Sequence, residues 1–222
     1  MAGGGKVSEE RIAEALIKRV IEEELKDIPL QEGMPVTLDA VQVQNEQEID
    51  LVEKLFAMVR KAGEKVKDDE PIQVKKNGIA KIFKQGRIEV ANETFQEVFK
   101  EMFKKDISLD KILKFLFVVG EMIRGIVMDL HQSWLDLHQS WLDLRHSWMA
   151  QCQKWMDQRR PYMDLRESWM DLTSPWMDLR QSVKQIQNWT VEFFRNYLLG
   201  WILEQGGWIR CLVLPDLTEE AL

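Results

Sequence analysis

A unit of seven residues repeats eight times between Met128 and Val183, and it limits what this part of the chain can fold into. The first position is Met or Leu in all eight units, the second is Asp in seven, and the last is Trp in six. Such regularity indicates a tandem duplication, and the heptad spacing of the apolar residues is typical of helices that pack along a seam. Because proline removes a backbone donor and clashes with the preceding turn, we expect helical pieces broken near Pro161 and Pro175. The alternative is that residues 128–183 form a poorly ordered segment.

The repeat also contains residue types that are found in chemical sites. Asp129, His131 and Ser133 are the three residue types that form the catalytic triad of serine hydrolases. Adjacency in sequence, however, does not supply the geometry of a triad. His131 and His138 lie two helical turns apart, which is too far to bind one metal ion without a third ligand, and Cys152 lies off their face. We therefore predict a solvated polar face here, with no metal and no cofactor.

Composition places the chain among soluble globular proteins. Of its 222 residues 45% are apolar and 30% are charged, which argues against wholesale disorder and for one domain over residues 1–222. The net charge of −7 argues against a nucleic-acid partner. Two cysteines, Cys152 and Cys211, make no disulfide framework, so we expect a cytoplasmic protein in a reducing compartment.

Outside the repeat the pattern is almost wholly helical. Ser8 is predicted to cap a first helix that ends near Lys26, and Asn92 is predicted to cap a later amphipathic helix. A second helix is predicted over about 47–67. The stretch 112–128 is nearly apolar all round but is interrupted by charges. We therefore interpret it as the buried central helix of a bundle and not as a membrane span.

Two glycine-containing pairs mark turns. Asn77 and Gly78, flanked by apolar residues, predict a β-hairpin when taken alone. Gly206 and Gly207 predict the end of an amphipathic helix that runs over 183–204. An all-α bundle wrapped around one apolar helix is the simplest architecture for these elements.

The stretch from Leu198 to Trp208 reads LLGWILEQGGW, and it resembles the second homology region of the Bcl-2 apoptosis regulator family, within it the Bax-like group. The residues that carry the motif are Trp201, Gly206, Gly207 and Trp208. Over the rest of the chain outside the repeat the resemblance is fainter. It implies a Bcl-2-like helical bundle, with a short helix in place of the hairpin and the heptads 128–176 inserted at the tip of the central helical hairpin.

The second predicted helix resembles the family's third homology region. Its matching residues are Leu55, Val59, Ala62, Gly63, Glu64 and Val66, and the family usually has Asp where Glu64 stands. The four apolar positions, which are Leu55, Val59, Ala62 and Val66, fall at i, i+4, i+7 and i+11. This spacing places them on the one helical face that a groove-binding helix buries. By resemblance this helix binds partners. The other interpretation is an ordinary amphipathic core helix.

The first homology region departs most from the family. Ser108 to Lys111 reads SLDK where the family usually has Asn-Trp-Gly-Arg, and that arginine customarily pairs with the acid of a docked ligand helix. Lys111 keeps the charge but lacks the bidentate fork of arginine, so we expect weaker or altered recognition. Phe115 and Gly120 resemble the family's following core helix and complete the expected groove.

The resemblance implies an apoptosis regulator without enzymatic activity that promotes permeabilisation of the mitochondrial outer membrane. Its expected partners are other Bcl-2 family proteins and their ligand helices, a second copy of itself on activation, and that membrane. Residues 209–222 form a short acidic tail where the family carries a hydrophobic anchor, so we expect a cytoplasmic protein with conditional, reversible membrane attachment. The alternatives are a survival-type member that sequesters ligand helices and a scaffold protein that uses the heptad repeat.

Overall fold

The structure is a computed structural model that describes residues 3–28, 45–66, 70–155 and 165–213. Its elements, in order, are α1 (Gly3–Lys26), α2 (Glu46–Val66), α3 (Glu70–Lys84), α4 (Ile88–Phe103), α5 (Leu109–Trp155), α6 (Leu165–Phe193), a π-helical turn (Phe194–Leu198), α7 (Leu199–Glu204) and α8 (Trp208–Cys211). These residues contain helices, turns and loops and no strand. The predicted all-α class is confirmed.

The N-terminal half of α5 is the centre of the bundle. Its side chains are buried on nearly every side, including Leu116, Ile123 and Val127, and α1, α2, α3 and α6 all pack against it. Each fully buried side chain of this size contributes about 1.5 to 3 kcal/mol to the stability of the fold. The prediction of a buried central helix is therefore confirmed.

A cluster of phenylalanines joins α4 to α5 and α6. The ring centroids of Phe99 and Phe115 lie 4.6 Å apart, those of Phe95 and Phe99 4.8 Å apart, and those of Phe115 and Phe193 5.2 Å apart. Phe103 completes the cluster at 6.0 Å from Phe115. Edge-to-face and tilted contacts of this kind add to the free energy of burial, so the apolar stripe of α4 fixes that helix against the core.

Two predicted helix caps are wrong, because both helices begin earlier than the capping residue. Helix α1 begins at Gly3, so Ser8 lies in its second turn and its Oγ donates to Glu48 Oε1 of α2 at 2.9 Å. Helix α4 begins at Ile88, with Arg87 at the cap position, because buried Ala91 extends the apolar stripe one turn before Phe95 and so places Asn92 inside the helix. Tertiary burial outweighs the capping preference at both positions.

The hairpin predicted from Asn77 and Gly78 alone is also wrong. Both residues lie inside α3, where Ile79 and Phe83 are buried four residues apart. That spacing places the two side chains on one helical face, and their packing against the core outweighs the turn preference of the Asn-Gly pair. The short helix expected from the family resemblance is the one observed.

The repeat continues the central helices instead of interrupting them. Helix α5 runs through the first four heptads to Trp155, and α6 begins at Leu165 within the sixth. The backbone of α6 is helical across Pro175, so the break predicted there is wrong. A helix can pass a proline at the loss of one backbone hydrogen bond and with a local bend. Pro161 lies outside the described residues.

Candidate helix-binding site

Helix α2 turns its predicted binding face into the bundle. Leu55, Val59, Ala62 and Val66 are all buried, whereas Glu64 is exposed. The main neighbour of α2 is α5, and α1 packs along its other side. A partner could contact these four side chains only after α2 has separated from α5.

Gly63 allows α2 and α5 to approach closely. A Cβ atom at this position would lie 2.2 Å from the Cδ2 and Cε2 atoms of the Phe117 ring on α5. No side chain fits at that distance without moving the ring or the helix. The small residue expected from the resemblance is therefore required by the packing of α2 on α5.

The N-terminal end of α2 is joined to α1 by partly buried polar contacts that the sequence did not reveal. Glu48 accepts hydrogen bonds from Ser8 Oγ at 2.9 Å and from Arg11 Nη2 at 2.8 Å, and Asn45 Oδ1 accepts the backbone N–H of Glu48 at 2.8 Å. The hydrogen bond to Glu48 raises the pKa of Arg11 above its ordinary value. We call Ser8, Arg11 and Glu48 the α1–α2 polar bridge.

A second ionic contact joins the two helices at Arg19, about two turns beyond Arg11 on α1. Arg19 donates to Glu53 Oε1 at 2.9 Å and to Glu23 Oε2 at 3.0 Å, and its guanidinium lies 4.3 Å from the centre of the Phe56 ring. The hydrogen bond from Arg19 holds the pKa of Glu23 below its ordinary value. These groups are more exposed than the polar bridge, so solvent screens them more.

A cleft of about 140 Å³ opens between α3, α4 and α5. Its lining residues are Ile72, Lys75, Lys76, Val98, Phe99, Glu101, Met102 and Val118. The floor is apolar and the rim is charged, which suits an amphipathic helix. The volume is below the roughly 300 Å³ at which ligand pockets usually begin, so a docking helix would have to part α3 from α4. We call this the α3–α5 cleft.

Lys111 lies at the start of α5 and is already engaged within its own loop. Its Nζ donates to Asp106 Oδ1 at 2.5 Å and to the backbone oxygen of Asp106 at 3.3 Å. Ser108 Oγ accepts the backbone N–H of Lys111 at 3.4 Å and so caps α5. A ligand carboxylate would therefore compete with Asp106 for this ammonium group.

The two other residues predicted from the first homology region are buried on α5. Phe115 belongs to the phenylalanine cluster beneath α4. Gly120 faces α1 instead, where an added Cβ would lie 2.8 Å from Val20 Cγ1 and 3.1 Å from Glu24 Cγ. Phe115 thus supports the α3–α5 cleft from below, and Gly120 sets the distance between α5 and α1.

The second-homology motif is a sharp turn fastened to α1. Gly206 and Gly207 have φ angles of +90° and +94°, which only glycine adopts without strain. The buried Trp208 that follows donates its backbone N–H to Glu9 Oε2 at 3.0 Å and its Nε1–H to the Glu9 backbone oxygen at 3.1 Å. Trp201 is half-buried on α7. The predicted helix end is confirmed, and Glu9 is its partner.

Arg195, in the π-helical turn, reinforces this fastening. It donates to Glu10 Oε1, and its Nη2 donates to Glu14 Oε1 at 3.2 Å. Glu9, Glu10 and Glu14 thus place one acidic side of α1 against the C-terminal elements. Charge complementarity between segments so far apart in sequence could not be read from local patterns.

The histidines of the repeat take part in ring stacking. The ring of Trp134 lies 6.3 Å from His131 and 5.0 Å from His138, and His138 lies 6.3 Å from Trp141. Within the described residues no group of three His, Cys, Asp or Glu side chains could hold a metal ion. Over that same part of the chain, no helix has both the length and the apolar character needed to cross a membrane.

Three features describe the class of this bundle: an amphipathic α2 buried against α5, a central apolar helix, and a glycine turn that is hydrogen-bonded to α1. It has a Bcl-2-like fold. Among solved structures it is similar to that of chicken BOK, a Bcl-2 family member, with a TM-score of 0.50 and 16% sequence identity over 94% of this chain and 97% of that one.

At this level of identity the likeness is one of fold. The predicted Bcl-2-like architecture is confirmed, and the likeness does not single out the Bax-like group. No protein-family model matches the sequence, and no curated protein matches it significantly.

Proposed function

We propose that this chain is an apoptosis regulator of the Bcl-2 type that promotes permeabilisation of the mitochondrial outer membrane, without catalytic chemistry. The observation that carries the proposal is the placement of α2. Its residues Leu55, Val59, Ala62 and Val66 have the spacing of groove-binding anchors. All four are buried, and α2 packs on α5, the helix that also contributes Val118 to the α3–α5 cleft. A protein built in this way is inactive until α2 is released.

Ligand helices of other Bcl-2 family proteins are the proposed activating partners. The apolar floor of the α3–α5 cleft receives the apolar face of such a helix, and α3 moves away from α4 to admit it. Because Lys111 is paired with Asp106, the acid of the ligand contributes less to affinity than it would opposite a free arginine.

Released α2 is the proposed means of self-association. The face that packs on α5 in the monomer is then free to enter the cleft of a second copy. This exchange needs the α1–α2 polar bridge and the contact of Gly63 with Phe117 to break. Membrane contact through exposed amphipathic surfaces is reversible, and the protein is otherwise cytoplasmic.

The test is dye leakage from cardiolipin-containing liposomes with and without an amphipathic activating peptide. The probe variant is Met102→Glu, which places a charge in the α3–α5 cleft. Its matched control is Ile209→Glu, the same kind of change at an exposed position on α8. We expect peptide-dependent leakage from the wild type and the control, and at least tenfold less from Met102→Glu.

The outcomes separate the candidate functions. Absence of leakage at any peptide ratio contradicts the pore-forming function. If the peptide then forms a stable one-to-one complex that Met102→Glu abolishes, the chain is a survival-type protein that sequesters ligand helices. Absence of both leakage and peptide binding contradicts either role and leaves the scaffold function of the heptad repeat.

A further inference from the structure

The part of α5 from Met128 to Met149 carries a wider apolar surface than one neighbouring helix can cover. We call this segment the heptad arm. At 100° per residue, positions one, three and seven of each unit enclose an arc of about 160°, compared with about 100° for an ordinary surface helix. The fourth position lies within this arc, and there His131 and His138 stack on the tryptophans. An arc this wide is typical of a helix with more than one apolar neighbour.

At the third and seventh positions of the heptads, side chains become more exposed with distance from the bundle. At the seventh position Trp134 is 8% exposed, Trp141 is half-buried and Trp148 is 42% exposed. At the third position the exposed fraction is 47% for Leu137 and 67% for Leu144. Equivalent residues of one duplicated unit are thus buried near the bundle and open to solvent further out.

The other flank of the arc is open as well. Three residues at the first position of their units, Met128, Leu135 and Met149, are exposed by 40% or more, and Leu142 at the same position is half-buried. Helix α6 packs against α5, and Leu179 of the last heptad is buried, as is Trp134 of the first. Heptads from the two ends of the repeat therefore already share one core within the monomer, and both flanks of the arm extend that core into solvent.

Charge decides which kind of partner suits this surface. Helices that lie on membranes carry Lys and Arg on their polar face. The polar face of the heptad arm instead carries three aspartates. Asp129 pairs with Lys84 of α3, whereas Asp136 and Asp143 accept hydrogen bonds from Gln132 and Gln139 at 2.9 and 3.1 Å. An acidic face is repelled by anionic lipid, so a protein partner is favoured over a membrane surface.

We propose that the heptad arms of two copies pair and form a four-helix bundle. Each copy contributes the arm of α5 together with α6, the helix that packs against α5, and this is the arrangement of two helical hairpins in such bundles. The partner is a second copy because its arm carries the same apolar positions that bury one another in the monomer. The contact is isologous and closes as a dimer. It uses a surface separate from α2 and from the α3–α5 cleft.

The test is sedimentation velocity of the full chain over about a hundredfold range of concentration. The probe variant is Leu137→Gln with Leu144→Gln. Its matched control is Ser140→Gln with Ser147→Gln, which introduces the same side chain on the polar face of the same two heptads. A second probe, Leu135→Gln with Met149→Gln, changes the other flank. All these positions are exposed, so the monomer should remain folded, and circular dichroism checks this.

We expect the wild type and the serine control to dimerise with rising concentration. Each flank variant should have a dissociation constant at least about tenfold higher, since each loses the burial of two apolar side chains. A wild type that is monomeric throughout overturns the proposal, even if it binds phosphatidylcholine–phosphatidylserine vesicles. Dimerisation unaffected by both flank variants also overturns it. Met102→Glu should dimerise normally, so this result is independent of the leakage test.

Discussion

Gly63 is the residue at which the packing of α2 on α5 is least tolerant of change. An alanine Cβ there would lie 2.2 Å from two ring atoms of Phe117, a side chain that is itself buried. We expect Gly63→Ala to lower the free energy of unfolding by about 1 to 3 kcal/mol, because overpacking displaces the ring or the helix. Urea unfolding followed by circular dichroism measures this change.

Gly78 provides the control for that substitution. It lies in α3, and no atom outside its own helical neighbourhood lies within 4 Å of an added Cβ. Alanine there should raise the free energy of unfolding by about 0.5 to 1 kcal/mol, since it removes the flexibility of a helical glycine. Equal effects of Gly63→Ala and Gly78→Ala would contradict the contact with Phe117.

Cys211 predicts a loss of stability in alkaline solution. Burial, and secondarily the carboxylate of Glu9, raise the pKa of this thiol from an ordinary value of 9.0 to about 11. At a pH below the ordinary pKa of 9.0, the Cys211 thiol is protonated in both the folded and the unfolded chain. Between about pH 9 and pH 11 only the folded thiol holds it, so the contribution of Cys211 to stability falls as the pH rises.

This dependence can be isolated by comparing two chains in a Cys152→Ala background. The difference in urea midpoint between the chain with Cys211 and the chain with Cys211→Ala should shrink as the pH is raised from 8 towards 11. Subtracting the urea midpoint of one chain from that of the other removes the effect of lysine and tyrosine titration, which is the same in both chains. A difference that stays constant over this range would mean that the thiol ionises alike in both states.

At the level of helices, the sequence predicts an element well where a stripe of apolar residues on one helical face determines how that helix packs. Helix α2 was predicted to within one residue at each end, because buried positions such as Leu55 and Val59 recur at helical spacing. Predictions from single residues were wrong at Ser8 and at Asn77, because distant packing outweighs capping and turn preferences.

The candidate site shows the same division. The apolar face of α2 and the glycine turn could be predicted from the sequence, since each depends on a local pattern. The α1–α2 polar bridge and the contact of Trp208 with Glu9 join residues 40 and 199 positions apart. Nothing in a single sequence marks which of its many glutamates, such as Glu9 and Glu48, meet those partners.

The α1–α2 polar bridge should control how often α2 separates from the bundle. Arg11→Met removes the cationic partner and leaves the carboxylate of Glu48 buried with fewer hydrogen bonds, which raises the free energy of the closed state. We expect faster hydrogen exchange across α2, with α3 unchanged, measured by mass spectrometry. Lys54→Met, which removes an exposed pair with Asp50 on α2 itself, is the control and should have little effect.

If α2 is the element that is released, Arg11→Met should also lower the peptide concentration needed for liposome leakage. The control Lys54→Met should leave that concentration unchanged. Faster exchange in α2 without any change in leakage would show that opening of α2 does not limit the proposed activity.

At the scale of the whole molecule, we propose that the bundle and the heptad arm are separable. The buried core lies almost entirely outside the arm, whose only fully covered side chain among those described is that of Trp134. Duplicated heptads lengthen α5 without changing the face it turns to α1 and α2, because they begin beyond Val127, the last buried residue of the central segment. Substitutions in the α3–α5 cleft should therefore leave dimerisation through the heptad arm unchanged, and substitutions in the arm should leave peptide binding in the cleft unchanged.

Deleting residues 128–176 tests this separation. The deletion removes seven whole heptads, and the remaining unit, Met177–Val183, is long enough to connect two antiparallel helices. Loss of the buried indole of Trp134 should lower the free energy of unfolding by about 3 kcal/mol, which leaves the bundle folded. We expect peptide-dependent liposome leakage to persist and concentration-dependent dimerisation to disappear. Circular dichroism checks that the deletion variant is folded. If the folded variant causes no leakage, the repeat takes part in permeabilisation. If it still dimerises, self-association does not depend on the heptad arm.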